Sequence, residues 1–98
     1  ELRSCGGQAK NSVWTQMKAD MVGRPISVPE VVDAELTGNA CAALVGMDGG
    51  TLSEHAERLV RFPQRFEPHK DAHQRYLEMY EHYRDRYERF RQALAECI

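Results

Sequence analysis

Residues 5–28 read CGGQAKNSVWTQMKADMVGRPISV, and the order of signals within them decides the fold. Leu2 to Cys5, just ahead, reads as a short strand. Gly6-Gly7 breaks it, and Gln8-Ala9-Lys10 makes a turn. Asn11 or Ser12 can cap a helix running to about Val22, with Gly23 suited to the left-handed position after its end. Val13, Trp14, Met17 and Met21 recur at helical spacing and give that helix an apolar stripe. Pro25 to Val28 reads as a second strand, closed by Pro29. Strand, glycine turn, helix, strand predicts a βαβ unit with parallel strands, hence an α/β fold.

Working outward, a second helix is expected from about Asp33 to Val45, ended by Gly46. It is rich in small residues: Ala34, Gly38, Ala40, Cys41, Ala42 and Ala43. A glycine inside a helix costs about 1 kcal/mol relative to alanine. The usual return is close approach of another backbone, so this helix is expected to lie flat and deep against a sheet. Thr51-Leu52-Ser53-Glu54 matches a capping box and opens a short helix to about Val60. Phe62 and Phe66 alternate with polar residues, but Pro63 restricts that segment to an edge strand or an extended connection. A long helix then starts near Asp71 and runs almost to the end of the sequence. The expected architecture is a βαβα segment over residues 1–50, followed by C-terminal helices over 51–98.

The chain has 98 residues, room for one small domain. It begins at Glu1, in what reads as mid-strand, which points to a piece of a longer protein; tag removal or processing gives the same start. A formal net charge of -2 carries no basic excess for nucleic acid and no acidic block for a solvating tail. No apolar run reaches bilayer length, and no signal-peptide pattern is present. Cys5, Cys41 and Cys97 are odd in number and lack C-x-x-C spacing, which argues against a disulfide framework or a cysteine zinc site. A reducing, cytoplasmic location is therefore expected.

Three features have chemical potential. Gly6-Gly7 ends a strand just ahead of a helix, where bare backbone N–H groups and a helix dipole suit a phosphate. The plain alternative is that a Gly-Gly turn is only a turn, and neither a P-loop nor a Rossmann fingerprint is present. Tyr76, Tyr80, Tyr83, Tyr87, Phe90 and Leu94 alternate spacings of four and three on the last helix, a heptad seam. Buried tyrosine hydroxyls need partners, so the seam is expected to pack on the body of the same protein rather than form a coiled coil. His69 and His73 lie four apart, a spacing open to metal, but no H-E-x-x-H motif accompanies them. No nucleophile–base arrangement stands out.

The quoted stretch resembles the FGGY carbohydrate kinases, in which glycines are followed by W-x-Q-x-x-A-D-x-x-G-x-P. Trp14, Gln16, Ala19, Asp20, Gly23 and Pro25 fall at matching places. Pro29-Glu30 with Gly38-Asn39-Ala40, and Phe66, Pro68, His73, Tyr76, Tyr80 and Tyr83, extend the resemblance along nearly the whole chain. It departs at Gln8, where a third glycine or alanine is common, at Asn39, where alanine is common, and at Glu35, Leu36 and Thr37.

The resemblance implies the last part of a nucleotide-binding domain of ribonuclease-H-like, actin-like ATPase topology. It also implies ATP with Mg2+ as cofactors, the metal not held directly by these residues, and a sugar or polyol substrate. The glycine turn would meet the ATP phosphates and the Asn11 side chain the adenine. The implied site is therefore Gly6, Gly7 and Asn11, with Gln8 and Lys10 beside them. The catalytic base would lie upstream, so the chain alone is expected to be inactive. The partner would be the rest of the kinase chain, with homodimerisation left open and no nucleic acid or membrane. A competing reading is a non-catalytic interaction module that uses the tyrosine-striped helix.

Overall fold

The computed structural model describes residues 1–98. In chain order the elements are β1 (Leu2–Arg3), a 3-10 turn (Gly7–Lys10), α1 (Ser12–Val22), β2 (Ile26–Val28), α2 (Ala34–Asp48), α3 (Leu52–Leu59), β3 (Gln64–Phe66) and α4 (Lys70–Glu96). β2 is the middle strand, and all three of its residues are buried. β1 runs parallel to it, with Leu2 opposite Ile26 and Arg3 opposite Ser27. β3 runs antiparallel on the other side, with Phe66 opposite Ile26 and Gln64 opposite Val28. The result is a three-stranded mixed sheet with helices between and after its strands. The parallel βαβ unit and the edge position of the segment after Pro63 both agree with the sequence.

Local chemistry sets the helix ends. Asn11 caps α1 by accepting the Trp14 amide on its side-chain oxygen at 3.0 Å. Gly23 closes α1 in the left-handed region, at φ 64°. Thr51 and Glu54 form the reciprocal capping box of α3. α2 ends at Asp48, beyond the expected Val45, because Gly46 stays helical and Gly49, at φ 74°, is the residue that leaves the helix.

Packing departs from the sequence reading in three places. The buried face of α1 is Thr15, Ala19 and Asp20, not the stripe of Val13, Trp14, Met17 and Met21. Thr15 and Ala19 are fully buried because small side chains let the helix approach the sheet, whereas Val13, Trp14 and Met21 are exposed. α2 does not lie deep. Only Cys41 on it is buried, and a Cβ on Gly38 would meet nothing within 4 Å. A cavity of about 280 Å³, bounded by Val31, Gly38, Cys41, Ala56 and Phe62, lies beside the helix instead. Of the small residues of α2, Ala34, Gly38 and Cys41 line this gap.

The third departure is α4. Its 27 residues include none that is buried. Beyond the half-buried Tyr76 its tyrosine seam stands in solvent, with Tyr83 62% exposed, because the helix meets the rest of the chain through α1. The projecting helix accounts for a radius of gyration of 19.4 Å, against about 13 Å for a compact domain of this length. The core it leaves behind is small: Ala9, Val28 and Val32, with Phe66 packed against them.

Candidate functional site

β1 delivers the chain to the glycine turn. The Ser4 amide still bonds Ser27 on β2 at 3.0 Å, and the chain then leaves the sheet at Cys5. Gly6 adopts φ 87°, a conformation that glycine takes without strain. Its amide is donated to the Val32 carbonyl at 2.8 Å, so this N–H is held by the protein and is not free for a ligand. The next two amides differ. Gly7 and Gln8 precede the first bond of the 3-10 turn, whose early N–H groups have no partner within it, and no carbonyl elsewhere accepts from them. Ala9, buried in the core, anchors the turn from below.

Gly7 is informative because nothing inside the chain demands glycine there. Its φ is not positive, and a Cβ would meet nothing within 4 Å. Around it, Gly7, Gln8, Asn11 and Trp14 line an open hollow of about 380 Å³. The Asn11 side-chain oxygen is committed to capping α1, which leaves its NH2 group as a donor. The structure thus brings Gly7, Gln8 and Asn11 together at one hollow. Gly6 sits behind them as the bend, and Lys10 is exposed outside the lining.

Two side chains were missed by reasoning from the sequence. Lys18 places its Nζ 3.5 Å from Gln8 Oε1, the outer limit of a hydrogen bond, and 5.6 Å from the centre of the Trp14 ring. Its position four residues after Trp14 on one helix face was the available signal. Trp14 enters the sequence reading only as part of the apolar stripe of α1 and of the family pattern.

His69 and His73 are both used on Asp20. The Asp20 carboxylate, 8% exposed, accepts the His69 amide at 2.8 Å and the Gln16 side-chain amide at 3.0 Å. The His69 ring lies 3.1 Å from the same oxygen, and His73 Nδ1 lies 2.9 Å from the Asp20 carbonyl. Burial alone would raise the Asp20 pKa. The His69 amide, then the Gln16 and His69 side chains, outweigh it and hold the carboxyl below its ordinary value of 3.8. This is a latch that ties the start of α4 to the end of α1. No cluster of three or more metal-ligating side chains is formed. No helix is long and apolar enough to cross a membrane.

The hollow can therefore receive an anion on two bare amides with Lys18 close by, and it contains no carboxylate or histidine placed as a base. Comparison with known sequences bears on whose hollow it is. Residues 1–47 match the FGGY family of carbohydrate kinases, C-terminal domain. Autoinducer-2 kinase of Escherichia coli (strain K12) is 38% identical over 72 residues, which are 72% of this chain and 14% of that protein. Autoinducer-2 kinase of Enterobacter sp. (strain 638) is 35% identical over 74 residues, again 72% and 14%. L-xylulose/3-keto-L-gulonate kinase of Escherichia coli (strain K12) is 40% identical over 81 residues, 82% of this chain and 16% of that protein. The chain thus spans 14% to 16% of the length of these relatives. By these matches the chain belongs to the FGGY family of carbohydrate kinases, in the sequence of their C-terminal domain.

Proposed function

We propose that this chain is the nucleotide-contacting part of an ATP-dependent kinase that transfers the γ-phosphoryl group to a sugar or polyol hydroxyl. Its sheet and helices would be the last part of an actin-like ATPase domain, with residues 1–50 bearing the ATP turn and 51–98 the closing helices. The observation that supports this most is Gly7. It is a glycine required by neither conformation nor packing in this chain, and it lines an open hollow beside Gln8, the amides of both having no backbone partner. A side chain there would stand between the backbone and a phosphate.

In this reading the Gly7 and Gln8 amides meet the polyphosphate, and the Asn11 NH2 group meets a base nitrogen. Magnesium, carried by the phosphates rather than by residues of this chain, would offset their charge. The base that deprotonates the acceptor hydroxyl belongs to the rest of the kinase chain. The 98-residue chain is expected to bind ATP weakly and to show no turnover with a panel of ketoses and polyols. Asn11→Ser keeps a helix cap but withdraws the NH2 donor. It is expected to weaken ATP binding about three- to tenfold, the worth of one hydrogen bond. Calorimetric titration and a coupled ADP assay measure both. Turnover by the chain alone, or no ATP binding at all, would sink the reading.

A second reading has support in α4. Tyr80, Tyr83, Tyr87 and Phe90 are exposed, and in the heptad numbering Arg84, Arg86 and Arg91 flank them while Glu81, Asp85 and Glu88 lie on the outer face. Such a face suits an interaction module. Amide hydrogen exchange separates the two. If the remainder of the kinase covers α4, exchange along Tyr80–Leu94 should slow at least tenfold in the full-length protein relative to this chain. Equal exchange in both would favour the interaction module.

A further inference from the structure

The hollow has a wall whose role the nucleotide reading leaves open. Trp14 is 43% exposed and lines the same 380 Å³ space as Gly7, Gln8 and Asn11. It sits on the first turn of α1, its amide fixed to the Asn11 side chain, so the indole and the Asn11 NH2 group are placed together. Lys18 holds its ammonium over the ring at 5.6 Å from the centroid, yet Lys18 does not line the hollow. A broad aromatic surface, steadied by a cation and left in solvent, stands beside two bare amides and a single amide donor.

Those groups differ in chemistry, and together they match a ligand with an anionic tail, a flat heterocycle and a ring-nitrogen acceptor. We propose that Trp14 is the stacking platform for the nucleobase, and that it makes this hollow prefer a purine nucleotide over a pyrimidine one. The inference rests on the nucleotide reading above and adds a specificity residue to it. A purine offers the larger π-face to the indole, and stacking of this kind discriminates by area rather than by hydrogen-bond pattern. Lys18 does not leave its place. Its charge over the ring keeps the indole oriented while the base occupies the bordering surface.

Trp14 is the only tryptophan in the chain, so its fluorescence reports on this position alone. The chain is titrated with ATP, CTP and inorganic tripolyphosphate, with binding measured in parallel by calorimetry. ATP is expected to quench the emission as it binds, CTP to bind several-fold more weakly, and tripolyphosphate to bind without quenching. Trp14→Leu should lower ATP affinity about tenfold, within the range for loss of one base–aromatic stack, and leave tripolyphosphate affinity unchanged. Trp14→Phe should retain most of the ATP affinity. ATP that binds without quenching, equal quenching by tripolyphosphate, or undiminished ATP binding in Trp14→Leu each overturns the stacking role while the nucleotide site stands. Failure of ATP to bind the unaltered chain overturns both.

Discussion

Asp20→Ala is expected to lower the unfolding free energy by about 3 kcal/mol and to release the first turns of α4 from α1. The carboxylate is almost wholly buried and gathers the His69 amide, the Gln16 side chain and the His69 ring. Alanine leaves the His69 N–H without its acceptor at the start of α4, and hydrogen bonds to a charged group contribute about 1.5–3 kcal/mol. With ten of 98 residues buried, the chain has few other contacts to compensate. A loss of that size is roughly a third of the stability a domain of this length commonly holds. Urea denaturation measures the change, and hydrogen exchange at His69 to His73 locates it. A change below about 1 kcal/mol would show that the latch holds nothing.

The same group fixes a pH dependence. The folded pKa of Asp20 lies below its ordinary value of 3.8. A depressed carboxyl contributes stability that is present above the unfolded pKa and lost as pH falls through the folded one. Stability should therefore drop below about pH 4, and Asp20→Asn should flatten that part of the profile.

Gly23→Ala is expected to cost about 2–3 kcal/mol through two separate effects. At φ 64° an alanine enters the left-handed region, which costs about 1–2 kcal/mol. Its Cβ would also lie 2.6 Å from the His73 ring, so the imidazole must move. That movement breaks the contact between His73 Nδ1 and the Asp20 carbonyl and adds about 1 kcal/mol. Two further variants separate the effects. Gly23→Asn tolerates the backbone conformation and keeps the clash, so it should remain clearly destabilised. In a His73→Ala background, Gly23→Ala should cost only the conformational part. Near-native stability of Gly23→Asn would remove the clash from the account. Because Gly23 and Asp20 act on one latch, the double variant should lose less than the sum of the two singles.

What the sequence made legible was local. The capping roles of Asn11, Thr51 and Glu54 and the left-handed Gly23 follow from neighbours within four residues, and all are present. The parallel pairing of β1 with β2 follows from the handed crossover through α1. The contacts that were not legible join distant positions. The Gly6 amide reaches Val32, and the Asp20 carboxylate reaches His69, 49 residues away. No periodicity announces either. The buried face of α1 was misread because the bulkier stripe, Val13 to Met21, outweighs Thr15 and Ala19 on any hydropathy count, while the sheet admits only the smaller side chains. The α4 seam is expected to pack on its own protein, and within this chain only Tyr76, at its start, is partly covered. Gly7, Gln8 and Asn11, expected together from the glycine turn and the family resemblance, line one hollow. Lys18 and the exposed indole needed coordinates.

β1 has a neighbour on one side only. Its Leu2 and Ser4 amides are spent on Pro25 and Ser27, so the peptide groups of Arg3, between them, point the opposite way. An unpaired strand margin of this kind invites another extended segment, and at high protein concentration that means stacking of molecules into aggregates. Arg3 tempers the hazard. Its guanidinium rests 4.5 Å above the Phe62 ring, which fixes a positive charge at the rim, so two such margins brought together would repel.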